Sequence, residues 1–219
     1  MFKKVLILVE GFTEKTFVRQ SLTPYLLKKE ISVVPIVILT KAVPGGKNYT
    51  GGISSYSQVK HHIVELLKDS SASIVTTMLD YYALPGDFPG FKEKPTGTCY
   101  SKVEFVENCL LSDLGSNKFI PYFQLHEFET LIFACPENLS GVFIKSKKKI
   151  DMVIDIKKSF DSPEEINEGY DTCPSRRLKA IFPNYLKEDH GKLAMSNADI
   201  DVIRSKCPHF NSWLTKLEC

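Results

Sequence analysis

Glu10 and Glu14 stand four residues apart in the stretch "VEGFTE", directly after the apolar run "VLILV". Other acids follow apolar runs elsewhere: Asp80 closes "ASIVTTMLD", and Glu127 and Glu129 follow "KFIPYFQL" in "HEFE". A glycine-containing turn between a strand and a helix normally offers backbone amides to a phosphate. Two carboxylates in that turn point instead to a cation. Gathered carboxylates repel one another unless a cation neutralises them, and hard oxygen donors suit Mg²⁺ or Mn²⁺. Such an ion keeps several waters and takes substrate phosphate, so the chemistry implied is attack on a phosphodiester. Each acid also has an ordinary reading. Glu14 in a helix's first turn favours the macrodipole by roughly 0.3–1 kcal/mol without any metal. Glu10 and Asp80 could be exposed strand-end residues. Positions two apart do not share a helix face, so Glu127 and Glu129 both face a site only if their segment begins extended; in a helix, His126 would pair with Glu129. The reading favours the two glutamates.

These acids need strands to bring them together. "KKVLILVE" is a continuous β-branched and leucine run, as expected for a strand buried on both faces of a parallel sheet. A helix follows, with Thr13 as candidate cap and Pro24 as a kink. "ISVVPIVILT" is a second strand, placed near an edge by Pro35. The glycine-rich "PGGKNYTGG" leads to a helix over "SSYSQVKHHIVELLKDS", and "ASIVTTMLD" is a third buried strand. A long loop, "YYALPGDFPGFKEKPTG", precedes a helix in "SKVEFVENCLLSDL" and a strand in "KFIPYFQL"; "HEFETLIFAC" then reads as helical. The β-α-β-α-β-α-β order predicts an α/β fold with a mostly parallel sheet covered on both faces. In such a sheet ligands bind outside the carboxyl ends of the strands, where Glu10, Asp80, Glu127 and Glu129 all fall. After Pro136 the texture turns lysine-rich and helical, with a helix start at Ser162-Pro163-Glu164. The predicted division is therefore an α/β domain over 1–135 and a helical extension over 136–219 packed on it.

The totals constrain the class. A chain of 219 residues, 43% apolar and 25% charged, is ordinary for a globular protein, and its net charge of +2 leaves polyanion binding to local patches. Six cysteines without a CxxC pair give no zinc signature and predict reduced thiols. The apolar stretch near the N-terminus is too short for a signal peptide, and no window approaches a membrane span. The expectation is a cytoplasmic protein.

"LVEGFTE", "TTMLDYYALPGDFPG", "HEFETLIF", "PSRRLKAIFPNYLKEDHG" and "IRSKCPHFNSW" together resemble a bacterial domain-of-unknown-function family related to TOPRIM, over nearly the full length. TOPRIM domains occur in topoisomerases, primases and overcoming-lysogenization-defect nucleases, and hold magnesium with a glutamate after the first strand and a D-x-D pair after a later one. The resemblance implies a TOPRIM-like fold, with Glu10 in the glutamate role and Asp80 as the first aspartate. Tyr82 stands where the second aspartate would be, so either Asp87, or Glu127 and Glu129, compensate, or the site holds one metal weakly. The implied activity is that of a Mg²⁺- or Mn²⁺-dependent endonuclease, most simply on DNA, with an ABC- or AAA-type ATPase partner in a phage-defence setting. The rival is a non-catalytic adaptor of such an ATPase with a degenerate site. A nucleotide-binding or transferase role shares the metal logic.

Other candidates carry weaker signals. "SRRLK" and "LKEDHGK" are on residue type alone a solvated helix and a surface turn; the resembled motif raises Arg176 and Arg177 as phosphate ligands, and Lys187 or His190 as a group acting on phosphoryl oxygens or as a proton donor. Lys47 in the glycine-rich loop could touch phosphate, although the loop does not fit G-x4-G-K-[ST]. Tyr81, Tyr82, Phe88 and Phe91 offer stacking surfaces, or pin the loop to its own domain. Trp213, Phe210 and Leu214 read as core anchors.

Overall fold

The computed structural model describes residues 2–41, 49–50, 52–82, 84–166, 169 and 171–219. Strand β1 (Lys3–Val9) is flanked by β2 (Ile31–Val37) and β5 (Ile74–Asp80), with short strands β3 (Leu39–Lys41) and β4 (Tyr49–Thr50) between them in the chain as a separate antiparallel pair. The main sheet runs β2-β1-β5-β6, where β6 is Phe119–Ile120, and β7 (Phe123–Gln124) pairs with the end of β5; every pairing in it is parallel. Pro35 lies in β2, the edge strand, as its missing amide demands.

"KFIPYFQL" is not one strand. Pro121 breaks it, and the Thr77 hydroxyl spans the gap, donating to the Tyr122 carbonyl at 2.8 Å and accepting from the Tyr122 amide at 3.0 Å. A side chain thus replaces the ladder where proline has no donor.

Alternation along the strands sorts the core. Val5, Ile7 and Val9 of β1 pack with Phe17, Leu22 and Leu26 of the first helical segment and with the C-terminal helices; Leu6 and Leu8 pack on the other face. That second face is covered by α3 (Tyr56–Leu67) through Val59 and Ile63, and by α4 (Cys99–Leu114) through Val103, Val106 and Leu110. The first helix is α1 (Phe12–Phe17), a π-helical turn at Val18–Leu22, and α2 (Thr23–Leu27), with Pro24 in its first turn. Gly11, not Thr13, occupies the cap position; its amide donates to Glu14 Oε2 at 3.0 Å, one half of a capping box. In "HEFETLIFAC" only Thr130–Ala134 (α5) is helical, and residues 127–129 form the turn before it.

Beyond residue 135 come α6 (Lys147–Lys158), α7 (Pro174–Ile181), α8 (Lys192–Met195), α9 (Ile200–Lys206) and α10 (Pro208–Glu218). Ser162-Pro163-Glu164 starts only a single 3-10 turn, because Ile166 returns to extended backbone. These helices share one apolar cluster with β1, β2 and α5, and Trp213, Phe210 and Leu214 are buried in it. The Trp213 indole N–H donates to Thr76 Oγ1 of β5 at 2.9 Å, fixing α10 to the centre of the sheet. Among the described residues no helix is long and apolar enough to cross a membrane.

Candidate functional site

Register brings the acids together. Val9 is paired with Met78, so Glu10 emerges level with Leu79, one residue before the end of β5, and Asp80 is paired with Gln124 of β7. The turn after β7 then folds back over the strand ends. The Phe128 amide donates to Asp80 Oδ1 at 2.8 Å, which locks this turn to β5. Glu14 returns one helical turn after Glu10.

Lys187 comes from the far end of the chain into the middle of this cluster. It begins a π-helical turn (Lys187–Gly191), and its carbonyl accepts from Thr13 Oγ1 at 3.5 Å. The Lys187 ammonium lies 2.8 Å from Asp80 Oδ2, 3.0 Å from Glu14 Oε1 and 3.9 Å from Glu129 Oε2. Tyr185, which residue spacing gave no reason to single out, donates its hydroxyl to Glu129 Oε1 at 3.3 Å. Gly191 makes room for that ring: a Cβ there would lie 2.7 Å from the Tyr185 hydroxyl.

Burial sets the electrostatics. Glu14, Asp80 and Glu129 are 3%, 8% and 1% exposed, so water cannot screen their mutual repulsion. Burial, then the Asp80 carboxylate, push Glu10 up to about 7, with Lys187 opposing and Glu14 adding. Burial also pushes Asp80 up to about 6 and Glu129 up to about 7, in both cases against the pull of Lys187. Burial alone would lower Lys187, but Asp80, Glu14 and Glu129 hold it well above the usual ammonium value. One ammonium faces four carboxylates, and Glu10 Oε2 is buried without a hydrogen-bond partner. The donor set, all hard oxygens with one orphaned, fits a divalent cation in chemistry. In the present arrangement, however, no three His, Cys, Asp or Glu side chains among the described residues are grouped so as to hold an ion. The Lys187 ammonium stands among the carboxylates that would have to share one.

The remaining candidates are placed differently. Glu127 turns aside to α7: its carboxylate accepts from the Ser175 amide at 2.9 Å and the Ser175 hydroxyl at 3.0 Å, at the positive end of that helix. Asp87 is likewise engaged elsewhere, accepting from the Tyr56 amide at 3.0 Å at the start of α3. Arg177 donates from Nε to the Thr172 carbonyl at 2.6 Å, and Arg176 is exposed. His190 accepts from the Leu186 amide at Nδ1, 2.9 Å away, and stacks on Phe143. Lys47 lies outside the described residues. Tyr81 and Phe88 are buried and pin the 81–97 loop to Phe123, whereas Tyr82 is 38% exposed.

Among solved structures, one described as the C-terminal region of the Xanthomonas campestris pv. campestris OLD protein is similar at 14% identity, covering 100% of both chains, with a TM-score of 0.41. A search among curated proteins finds no match. The model of DUF4276, a domain of unknown function, matches residues 9–218, and the chain belongs to that family.

Proposed function

We propose that this protein is a Mg²⁺- or Mn²⁺-dependent phosphodiesterase acting on nucleic acid, with Glu10, Asp80 and Glu129 as the cation's ligands and Glu14 beside them. The observation that carries the reading is the uncompensated charge at the strand ends: four carboxylates from three chain segments around, among the described residues, the single ammonium of Lys187. A phosphodiester is itself an anion and would be repelled by that cluster, so chemistry on phosphate there requires an added cation. When bound, the cation activates water and neutralises charge on the leaving oxygen. The chain's own residues do the rest. Tyr185 holds Glu129 in orientation. Lys187, whose ammonium lies 2.8 Å from Asp80 and 3.0 Å from Glu14, would offer that ammonium to a phosphoryl oxygen and a proton to the leaving alkoxide. Glu127 keeps the 127–129 turn anchored to α7, and Arg176, exposed on that helix, would meet the substrate backbone.

Cleavage of labelled DNA and RNA with Mn²⁺ tests this. Glu10→Ala and Asp80→Ala are expected to lower the rate at least about 100-fold, as for lost transition-state charge stabilisation, with the circular dichroism unchanged. Undiminished cleavage by both variants would overturn the assignment.

The second reading is a non-catalytic subunit of an ABC- or AAA-type ATPase complex. It is favoured by the ion pairs of Lys187, which close the cluster without a metal, and by Tyr82 at the position of the expected second acid. Calorimetric titration with Mn²⁺ separates the two: binding that disappears in Glu10→Ala supports the enzyme, and absence of millimolar binding supports the adaptor.

A further inference from the structure

We propose that the cleft beside Asp80, walled by the loop over 81–97, is a subsite for an unpaired nucleotide of single-stranded nucleic acid. The inference takes its reason for a strand lying there from the phosphodiesterase reading. Three observations carry it.

The first is composition. A cavity of about 490 Å³ is lined by Tyr81, Tyr82, Phe91, Lys92, Lys94 and Lys102, with His126 at its inner wall. No acidic residue lines it among the described residues. It is therefore a basic, aromatic concavity, joined to the acidic cluster through the chain at Asp80–Tyr81. The volume lies in the roughly 300–1,000 Å³ range of small-ligand sites. A duplex keeps its bases stacked inside the helix, and a cleft of this size admits one splayed-out base with its phosphates.

The second is position. Two of the three backbone segments that carry the acids also build the cleft: Tyr81 and Tyr82 follow Asp80 directly, and His126 lies three residues before Glu129. The Tyr82 amide donates to the His126 carbonyl at 2.9 Å and the Tyr81 amide to the Gln124 carbonyl at 3.0 Å, so the strand ends and the cleft wall are one hydrogen-bonded unit. A strand whose scissile phosphate sits at Asp80 would place a neighbouring nucleotide over Tyr82.

The third is preorganisation. Tyr81 packs on Phe91 and Phe123, and the Lys94 ammonium rests 3.5 Å over the Phe91 ring, a cation–π contact that holds the lysine at the cleft. Gly97, at φ 151°, turns the chain into the capped start of α4, and a Cβ there would meet Ser101 Oγ at 2.6 Å. Aromatic faces beside phosphate-directed lysines are the working parts of sequence-tolerant single-strand sites.

The test is fluorescence anisotropy of the full chain in Ca²⁺, with labelled oligothymidylate of uncleavable phosphorothioate backbone, a duplex of equal length, and thymidine monophosphate as competitor. A hard cation screens the strand-end carboxylates, and the uncleavable backbone separates strand binding from cleavage. The expected result is preference for the single strand over the duplex. Tyr82→Ala should weaken it roughly 5- to 100-fold, the range of one lost stacking contact. The double substitution Lys92→Ala, Lys102→Ala should reduce the slope of log affinity against log salt by about 1.4, for two phosphate contacts on a single strand. Equal or tighter duplex binding, binding of the mononucleotide but not the strand, no strand binding, or unchanged affinity and slope in folded variants would each overturn the subsite. Those shifts in a protein that shows no cleavage with Mn²⁺ would support the subsite and remove the phosphodiesterase reading.

Discussion

At the scale of single residues, the site depends on side chains that hold other side chains. Glu129 ends in a buried carboxylate whose Oε1 accepts from Tyr185 and whose Oε2 faces Lys187 across 3.9 Å. Tyr185 can occupy that place only because Gly191 has no Cβ. Gly191→Ala should therefore displace the Tyr185 ring and reduce metal-dependent turnover more than Tyr185→Phe does. The latter removes one neutral hydrogen bond of about 1 kcal/mol and leaves the packing. Equal effects of the two substitutions on kcat would refute this. Glu10, Asp80 and Glu129 are legible in the sequence because each follows an apolar strand run, and strand ends in a parallel sheet share an edge. Glu14 is legible by its one-turn spacing from Glu10. Tyr185 is not, since a tyrosine in "PNYLKEDHG" has no period or partner in the local sequence. Lys187 could be named from the motif, but its ion pairs run 107 and 173 residues back along the chain, a distance no spacing rule reaches.

At the scale of elements, buried carboxylates also serve as long-range helix caps. Glu164 accepts from the His209 amide through Oε2 and the Phe210 amide through Oε1, both at 2.9 Å, at the start of α10. Cys207 precedes this helix and gives no side-chain cap, so the first-turn donors depend on a residue 45 positions away. Glu127 does the same for α7 through Ser175. The turn at Ser162-Pro163-Glu164 reads in sequence as a helix start because its capping serine, proline and acid are the usual signal. Here that signal closes one 3-10 turn whose acid is spent on another helix. Glu164→Ala leaves two buried amides unpaired and removes a negative charge from a helix N-terminus. It should cost about 2–4 kcal/mol, measured as the shift in urea midpoint at constant slope, and it should loosen α10, whose Trp213 is tied to Thr76 at the middle of β5. A loss below about 0.5 kcal/mol would show that water satisfies those amides in the folded protein.

At the scale of the whole molecule, the strand-end acids link stability to pH and to metal in a direction that can be worked out. The folded chain raises Glu10 and Glu129 from the ordinary 4.5 to about 7 and Asp80 from 3.8 to about 6, chiefly by burial. Between roughly pH 4.5 and 7 the native state thus binds more protons than the unfolded chain, and stability falls as pH rises through that window. In EDTA the thermal midpoint should be higher near pH 6 than near pH 8. A divalent cation substitutes for those protons, so Mn²⁺ should raise the midpoint at pH 8 much more than at pH 6, and its affinity should weaken as pH falls below 7. Glu10→Gln removes one titrating acid and should flatten both trends. Lys187→Met should steepen the metal-free loss at high pH, because the one ammonium opposing the carboxylates is gone while the side chain's bulk is kept. Differential scanning fluorimetry across pH with and without Mn²⁺ measures all four cases. A midpoint in EDTA that rises from pH 6 to pH 8 would mean that the carboxylates are already ionised and compensated by Lys187, leaving no electrostatic demand for a metal at this edge of the sheet.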